Sequence, residues 1–149
     1  MPRKYSAITR FLSLMLAVMF VIPSIGHVAA TEVVQPRASD YLTSYGAYVY
    51  LPGNGEVRVY FNVTGTGYMD ELGSLSIAIY ESTDGVSWTW KDTFMHDQTP
   101  GMLSYNDDYH SGYVSYNGIV GRYYRAYVCI WGGKDGDGDT RYFWTSVKH

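Results

Sequence analysis

The sequence predicts an all-β protein, built as a single antiparallel β-sandwich of about seven strands. Residues Glu56–Thr64 alternate between apolar and polar side chains, which is typical of a strand with one buried face. β-Branched and aromatic residues fill both arms of a closing hairpin at 119–147, and turn-forming clusters of Gly, Asp and Asn recur along the chain. No helical pattern follows the first 30 residues. A barrel is the architecture that the sequence leaves open beside the sandwich.

The first 30 residues have the features of a secretory signal peptide. Arg3 and Lys4 begin a basic leader, and Phe11–Ile22 forms an apolar run of 12 residues. That run is shorter than the roughly 20 residues that a membrane-spanning helix needs. Small residues precede the predicted cleavage site after Ala30. We therefore expect a secreted protein whose β-sandwich domain occupies residues 31–149, with a retained membrane anchor as the alternative.

The charge of the predicted exported chain excludes one class of partner. The leader contains three of the 11 basic residues and none of the 14 acidic ones, so residues 31–149 keep eight basic residues and a net charge of −6. Such a surface repels nucleic acid and anionic lipid. The sequence thus predicts no nucleic-acid binding, and no membrane association once the signal peptide is removed.

Apolar and polar alternation assigns the strands in chain order. In the first strand Val49 faces one side while Tyr48 and Tyr50 face the other. The predicted strands are Ser44–Leu51, Glu56–Thr64, Ser74–Tyr80, Val86–Phe94, Ser111–Tyr116 and the hairpin arms Ile119–Trp131 and Thr140–Val147.

Glycine, proline and aspartate mark the connections between these strands. Pro52–Gly55 and the Asp84-Gly85 corner predict tight turns. Gly65–Gly73 is predicted to be a loop. Met95–Asp108 is predicted to be a long connection that crosses between sheets, with a short strand near Leu103 as an option.

The closing hairpin has one well-defined inner face. Its first arm places Tyr124, Ala126, Val128 and Ile130 toward the core. Tyr124 stands where a sandwich often has a corner tyrosine, whose hydroxyl binds the main chain. In the second arm the pattern does not decide whether Tyr142 and Trp144, or Phe143 and Val147, form the inner set.

The outward face of the same arm is the candidate binding surface. It carries Tyr123, Arg125, Tyr127 and Trp131, whose rings could stack on sugars or anchor a protein partner, while the guanidinium could pair with a carboxylate or phosphate. The alternative is that cross-strand aromatic pairs simply cover the sheet. Cys129, the single cysteine, shares this strand and is expected to be a buried, inert thiol, with an intermolecular disulfide as the alternative.

The turn of the hairpin is the candidate metal site. Asp135, Asp137 and Asp139 alternate with glycines, so their carboxylates could converge on Ca²⁺. The helix-loop-helix calcium pattern is not met, because its sixth and twelfth positions would be Thr140 and Ser146 instead of Gly and Glu. The alternative is a soluble hairpin tip. No cofactor is expected; a calcium ion bound at this turn is the alternative.

Catalytic signatures are missing from the sequence. There is no Gly-x-Ser-x-Gly nucleophile motif, and Cys129 lies within a predicted strand, where nothing activates its thiolate. The sequence therefore predicts a protein that is not an enzyme.

Two blocks of sequence resemble a known family. The first is Pro36–Tyr41 with Tyr45–Tyr48, and the second is the Glu81–Trp88 hairpin with His110–Tyr113 and Gly121–Val128. Together they are similar to a family of small exported Gram-positive proteins catalogued as a domain of unknown function. The resemblance implies export and a compact β-domain, and it brings no catalytic residue or ligand. The Asp-Gly-x-x-Trp hairpin and Tyr-rich late strand also resemble fibronectin type III and immunoglobulin-like sandwiches, which concerns the fold alone.

These observations lead to one functional expectation with one alternative. We expect a secreted, non-catalytic binding or interaction module at the cell surface or in the extracellular space, with cell-wall glycan or another exported protein as its partner. The alternative is a secreted, bacteriocin-like antagonistic factor.

Overall fold

The computed structural model describes residues 39–149, so the predicted signal peptide lies outside the described residues. The described part contains six strands and no helix, which confirms the all-β prediction. The strands are β1 (Leu42–Tyr50), β2 (Glu56–Ser82), β3 (Thr89–Met95), β4 (Leu103–Asn117), β5 (Tyr123–Lys134) and β6 (Asp137–Trp144). In residues 39–149, accordingly, nothing helical is long and apolar enough to cross a membrane.

Strand β2 organises the whole sheet. It has 27 residues and pairs antiparallel with four other strands. Its first part, 56–64, lies between β1 and β4, and we call these three segments the first half-sheet. Its last part, 74–82, lies between β3 and β5, and β6 continues beyond β5; we call these the second half-sheet.

The predicted loop Gly65–Gly73 is wrong, because this segment continues β2. Glu71 pairs with Tyr105 of β4 on one side and with Gly133 of β5 on the other. Met69 and Leu72 are buried, at 3% and 0% exposure. Three glycines are typical of a loop, but here Gly73 allows close approach of the backbone at Met102, and the pairing register with β4 shifts between Thr64 and Met69.

The predicted sandwich of two separate sheets is not confirmed, since all six strands form one antiparallel sheet curled into a half-barrel. The number falls from about seven to six because two predicted strands are parts of β2. Inward side chains of both half-sheets form a single core, in which Val59 and Ile79 are both fully buried. Tyr45 of β1 packs against Phe143 of β6 with ring centroids 5.4 Å apart, so the two ends of the curled sheet meet.

The boundaries of two connections also differ from the prediction. Strand β4 begins at Leu103 rather than Ser111, so the last six residues of the predicted connection Met95–Asp108 are strand, paired with residues 69–73 of β2. The turn of the closing hairpin has only two residues, Asp135 and Gly136, with φ angles of 55° and 82°. Two successive residues with positive φ form the turn type that matches the twist of a hairpin.

Strand pairing determines the inner face of β6. Phe143 lies opposite the buried Val128 and packs against the core, whereas Tyr142 and Trp144 are 62% and 44% exposed. The predicted inner face of β5 is confirmed, because Tyr124, Ala126, Val128 and Ile130 are at most 1% exposed.

Candidate functional site

The outward surface of the second half-sheet carries a dense aromatic cluster. Inward positions of β2, β5 and β6 alternate with outward ones, so side chains from neighbouring strands meet there in register. We call this cluster the tryptophan–arginine face; its members are Tyr80, Trp88, Arg125, Tyr127, Tyr142 and Trp144.

Arg125 lies at the centre of the tryptophan–arginine face. Its guanidinium carbon is 4.3 Å from the ring centroid of Trp88 and 4.1 Å from that of Trp144. Both distances are well inside the roughly 6 Å range of a cation–π interaction. The half-buried arginine is therefore held by two indole rings, contributed by the β2–β3 connection and by β6.

The β2–β3 connection has a local structure that fixes Trp88. One carboxylate oxygen of Asp84 accepts the backbone N–H groups of Val86 and Ser87, both at 2.8 Å, and Gly85 has a φ of 74°. These hydrogen bonds, the one from Ser87 first, lower the pKa of Asp84 to about 2. The predicted Asp-Gly corner is thus present, and it leads the chain directly to Trp88.

The remaining rings of the face contact one another across β2, β5 and β6. The ring of Trp144 lies 4.9 Å from that of Tyr127 and 5.0 Å from that of Tyr80, and Tyr127 stacks on Tyr142 at 6.0 Å. Offset and edge contacts at these distances are favourable for aromatic pairs. The rings therefore support each other and form one continuous surface.

Two of the four predicted binding residues, Arg125 and Tyr127, belong to this face. Tyr123 lies on the same side of β5 and stacks on His149, with ring centroids 4.1 Å apart. Trp131 does not join them. It lies near the end of the closing hairpin, where its indole N–H donates to Glu71 at 3.2 Å and its ring packs over Gly133 and Gly138.

Trp131 instead borders a different surface. A groove of about 500 Å³ at the hairpin end is lined by this tryptophan together with Asp70, Glu71, Tyr105, Lys134 and Asp137. The hairpin end and the tryptophan–arginine face are thus two separate surfaces. The sequence pattern predicts a single surface that includes Trp131.

The carboxylates of two candidate calcium ligands, Asp137 and Asp139, have separate partners, and Asp135 is held through its backbone. Asp139 accepts hydrogen bonds from Ser39 and Arg141, and the Ser39 contact is the main cause of its lowered pKa. A hydrogen bond to Asp137 raises the pKa of Tyr41. The backbone N–H of Asp135 donates to Asp70 at 2.7 Å. Across residues 39–149, no three His, Cys, Asp or Glu side chains are grouped as a metal site would require.

Sequence reasoning missed several members of the tryptophan–arginine face. Tyr142 and Trp144 are missed because the sequence pattern leaves the inner face of β6 undecided. Aligning β6 against β5 across the two-residue turn pairs Tyr127 with Trp144 and would identify both. Trp88 lies in another segment, the β2–β3 connection, and no local signal places it beside Arg125.

A second aromatic surface, the tyrosine row, lies on the outward side of the first half-sheet. Tyr48, Tyr60 and Tyr113 are cross-strand neighbours, with ring centroids 5.2 and 5.1 Å apart along the row. Arg58 lies over the ring of Tyr113 at 5.5 Å and forms two hydrogen bonds with Glu56, at 2.7 and 3.0 Å. The arginine of this row is therefore already paired with a carboxylate.

Cys129 is buried at 4% exposure, opposite Tyr142. Burial raises the pKa of its thiol, which opposes formation of the reactive thiolate. Both observations agree with the expected inert thiol.

Comparison with known proteins adds no relative: neither a protein-family model nor a curated protein matches the chain.

Proposed function

We propose that this protein is a secreted, non-catalytic binding module that attaches to cell-wall glycan through the tryptophan–arginine face. One observation carries the proposal: aromatic rings converge on the outward side of paired strands, and Tyr127, Tyr142 and Trp144 remain 37%, 62% and 44% exposed there. A contiguous exposed aromatic surface on a rigid scaffold is a common property of interaction sites.

The shape of the face favours a polymer over a small molecule. Small ligands normally bind in concave sites that enclose most of their surface. An outward sheet surface with neighbouring rings offers several stacking positions to one extended chain. Sugar rings have apolar C–H faces that can cover tyrosine and tryptophan rings, while their hydroxyl groups stay in water. A glycan of the cell wall is therefore the partner that we propose.

The test is co-sedimentation of the chain Thr31–His149 with isolated Gram-positive cell walls. This chain includes every residue of the core, which begins at Leu42. The variant Tyr142→Ala/Trp144→Ala should bind about 10-fold more weakly, because truncation of central aromatic residues typically costs more than 1 kcal/mol of binding. The matched control is Tyr48→Ala/Tyr113→Ala, which removes two equally exposed rings from the tyrosine row and should bind like the unmodified chain.

Four outcomes would contradict the proposal. Sedimentation lost only in the control would assign binding to the tyrosine row. Release of soluble sugar from the walls would contradict a non-catalytic role. If the chain does not bind walls but captures one exported protein, a protein partner is favoured. If it does not bind walls but inhibits bacterial growth, an antagonistic factor is favoured.

A further inference from the structure

The tryptophan–arginine face contains a cation that the described part of the protein leaves without an anion. This cation is Arg125, whose Nε atom is buried and has no hydrogen-bond partner. Among residues 39–149, the three ion pairs are Arg58–Glu56, Lys91–Glu81 and Arg141–Asp139, so Arg125 is in none of them. A guanidinium with unmet donors is costly to bury unless an acceptor is supplied.

The stacking of Arg125 constrains its guanidinium, although the side chain as a whole is only half-buried. The guanidinium carbon lies over the rings of both Trp88 and Trp144, 4.3 and 4.1 Å from their centroids. Its N–H groups lie in the plane of the group and point away from its edge in a fixed fork. Two packed indoles also restrict the side chain before any ligand arrives, which lowers the entropy cost of binding. A planar, oriented fork of this kind matches the oxygens of a carboxylate or phosphate.

The other stacked arginine shows the difference between a satisfied and an unsatisfied fork. Arg58 also lies over an aromatic ring, but both oxygens of Glu56 accept its N–H groups. Arg125 has the aromatic support without the carboxylate. The predicted exported chain is otherwise acidic, at −6, so a local cationic group surrounded by stacking rings would select where an anionic polymer can attach.

We infer that Arg125 is the anion-recognition residue of the tryptophan–arginine face, and that this face binds a glycan or wall polymer bearing carboxylate or phosphate groups. The inference rests on the proposed wall binding and specifies its chemistry. Sugar rings or the polymer backbone stack on Tyr127, Tyr142 and Trp144, and an anionic group of the same polymer accepts hydrogen bonds from the terminal N–H groups of Arg125, since its Nε is buried.

The experiment compares Thr31–His149 and its variants on three wall preparations. One is untreated, one is stripped of phosphate-containing polymers with hydrofluoric acid, and one has its carboxylates converted to neutral amides with a carbodiimide and ethanolamine. Loss of binding on the second preparation identifies phosphate as the source of the anion, and loss on the third identifies carboxylate. Arg125→Gln should bind untreated walls about 10-fold more weakly at low salt, and Arg125→Lys should recover only part of the loss, because lysine lacks the planar fork.

Further controls separate recognition from folding. Arg58→Gln removes a stacked arginine that already has its anion, so it should bind like the unmodified chain. Thermal unfolding shows whether Arg125→Gln remains folded. The difference in wall binding between the unmodified chain and Arg125→Gln should shrink as the salt concentration rises, because salt screens the attraction between charges. A purely structural role of the side chain would not produce this dependence on salt.

The outcomes distinguish this inference from the function on which it rests. If Tyr142→Ala/Trp144→Ala loses binding while Arg125→Gln binds all three preparations like the unmodified chain, the anion-recognition role is overturned and wall binding stands. Equal binding of the unmodified chain to all three preparations also overturns it. If the unmodified chain sediments with no preparation, wall binding and the inference both fail.

Discussion

At the scale of single residues, the hydroxyl of Tyr124 is fixed by hydrogen bonds to two different partners. It accepts the backbone N–H of Ile119 at 2.7 Å and donates to the buried carboxylate of Glu81 at 2.6 Å. Glu81 in turn pairs with Lys91 at 3.3 Å. The expected main-chain bond of a corner tyrosine is confirmed, and its second partner, a buried glutamate, could not be read from the sequence.

Removing this hydroxyl should destabilise the fold. Tyr124→Phe leaves one buried oxygen of Glu81 without its donor and removes the acceptor of the part-buried N–H of Ile119. Such losses cost about 1–3 kcal/mol of unfolding free energy. Urea denaturation measures the change, with Tyr68→Phe, at a 67% exposed ring, as a control that should change nothing. Equal stability of both variants would show that the hydrogen bonds of Tyr124 contribute no net stability.

The same residue predicts a loss of stability at high pH. Burial and the hydrogen bond to Glu81 raise the pKa of Tyr124 to about 12, from 10.0. The unfolded chain therefore releases this proton at lower pH than the folded chain, so the stabilisation is complete below pH 10 and is lost as pH rises toward 12. The difference in unfolding free energy between unmodified chain and Tyr124→Phe should shrink over that interval; a difference that grows would contradict the assignment.

At the scale of elements, glycine positions determine how the strands bend and turn. Strand β2 passes from the first half-sheet to the second with its backbone close to the start of β4 at Gly73. A Cβ atom added there would lie 2.1 Å from the carbonyl oxygen of Met102. The two-residue turn at Asp135-Gly136 instead depends on positive φ angles. Gly73 also has a positive φ, of 151°, so it needs glycine for both reasons, whereas Gly136 needs it for φ alone. The two sites therefore predict different losses of stability.

Gly73→Ala should be the more damaging of these substitutions. The atom that it meets is backbone, which cannot move aside as a flexible side chain can, so either β4 or β2 must shift. We expect a loss of about 3 kcal/mol or more, or failure to accumulate folded protein. Urea denaturation and the yield of soluble protein measure this. A stable, soluble Gly73→Ala protein would show that the approach of β2 to β4 is not needed.

Gly136→Ala should lower the unfolding free energy by a smaller amount, and only because alanine disfavours the φ angle of this position. No atom lies within 4 Å of an added Cβ, but its φ of 82° is unfavourable for alanine by about 1–2 kcal/mol. Gly67→Ala is the matched control, because it has equally open surroundings and no positive φ. Urea midpoints compare the two; equal midpoints would contradict the conformational explanation.

At the scale of the whole molecule, the two half-sheets share one core. All four tryptophans lie on or beside the second half-sheet, whereas Val59 belongs to the first. Val59 and Ile79 are both completely buried in the same cluster. A single core of this kind should unfold in one cooperative transition.

Cooperative unfolding can be tested with a substitution in the first half-sheet, because the tryptophans that report unfolding lie on or beside the second. Val59→Ala should lower the unfolding midpoint recorded by tryptophan fluorescence as much as the midpoint recorded by far-ultraviolet circular dichroism, with a cost of about 2 kcal/mol. Val86→Ala, at an 80% exposed position, is the control and should leave both midpoints unchanged. A fluorescence transition that ignores Val59→Ala would show that the half-sheets unfold independently.

The sequence by itself determined the fold class, the main strands and the inner face of β5. These features depend on local alternation, and alternation records directly which side chains lose contact with water. It also identified Arg125 and Tyr127 as outward residues, since Tyr124 and Ala126 had to face inward.

The tertiary structure alone decided three things: that residues 65–73 continue β2, that one curled sheet replaces two, and that Trp88 and Trp144 meet at Arg125. Each depends on pairing between segments far apart in the chain. Glycine-rich stretches suit a loop and a closely approached strand equally well, and only the partner strands select between them. The candidate binding face is of the same kind, because its residues come from three separate segments and share no local pattern.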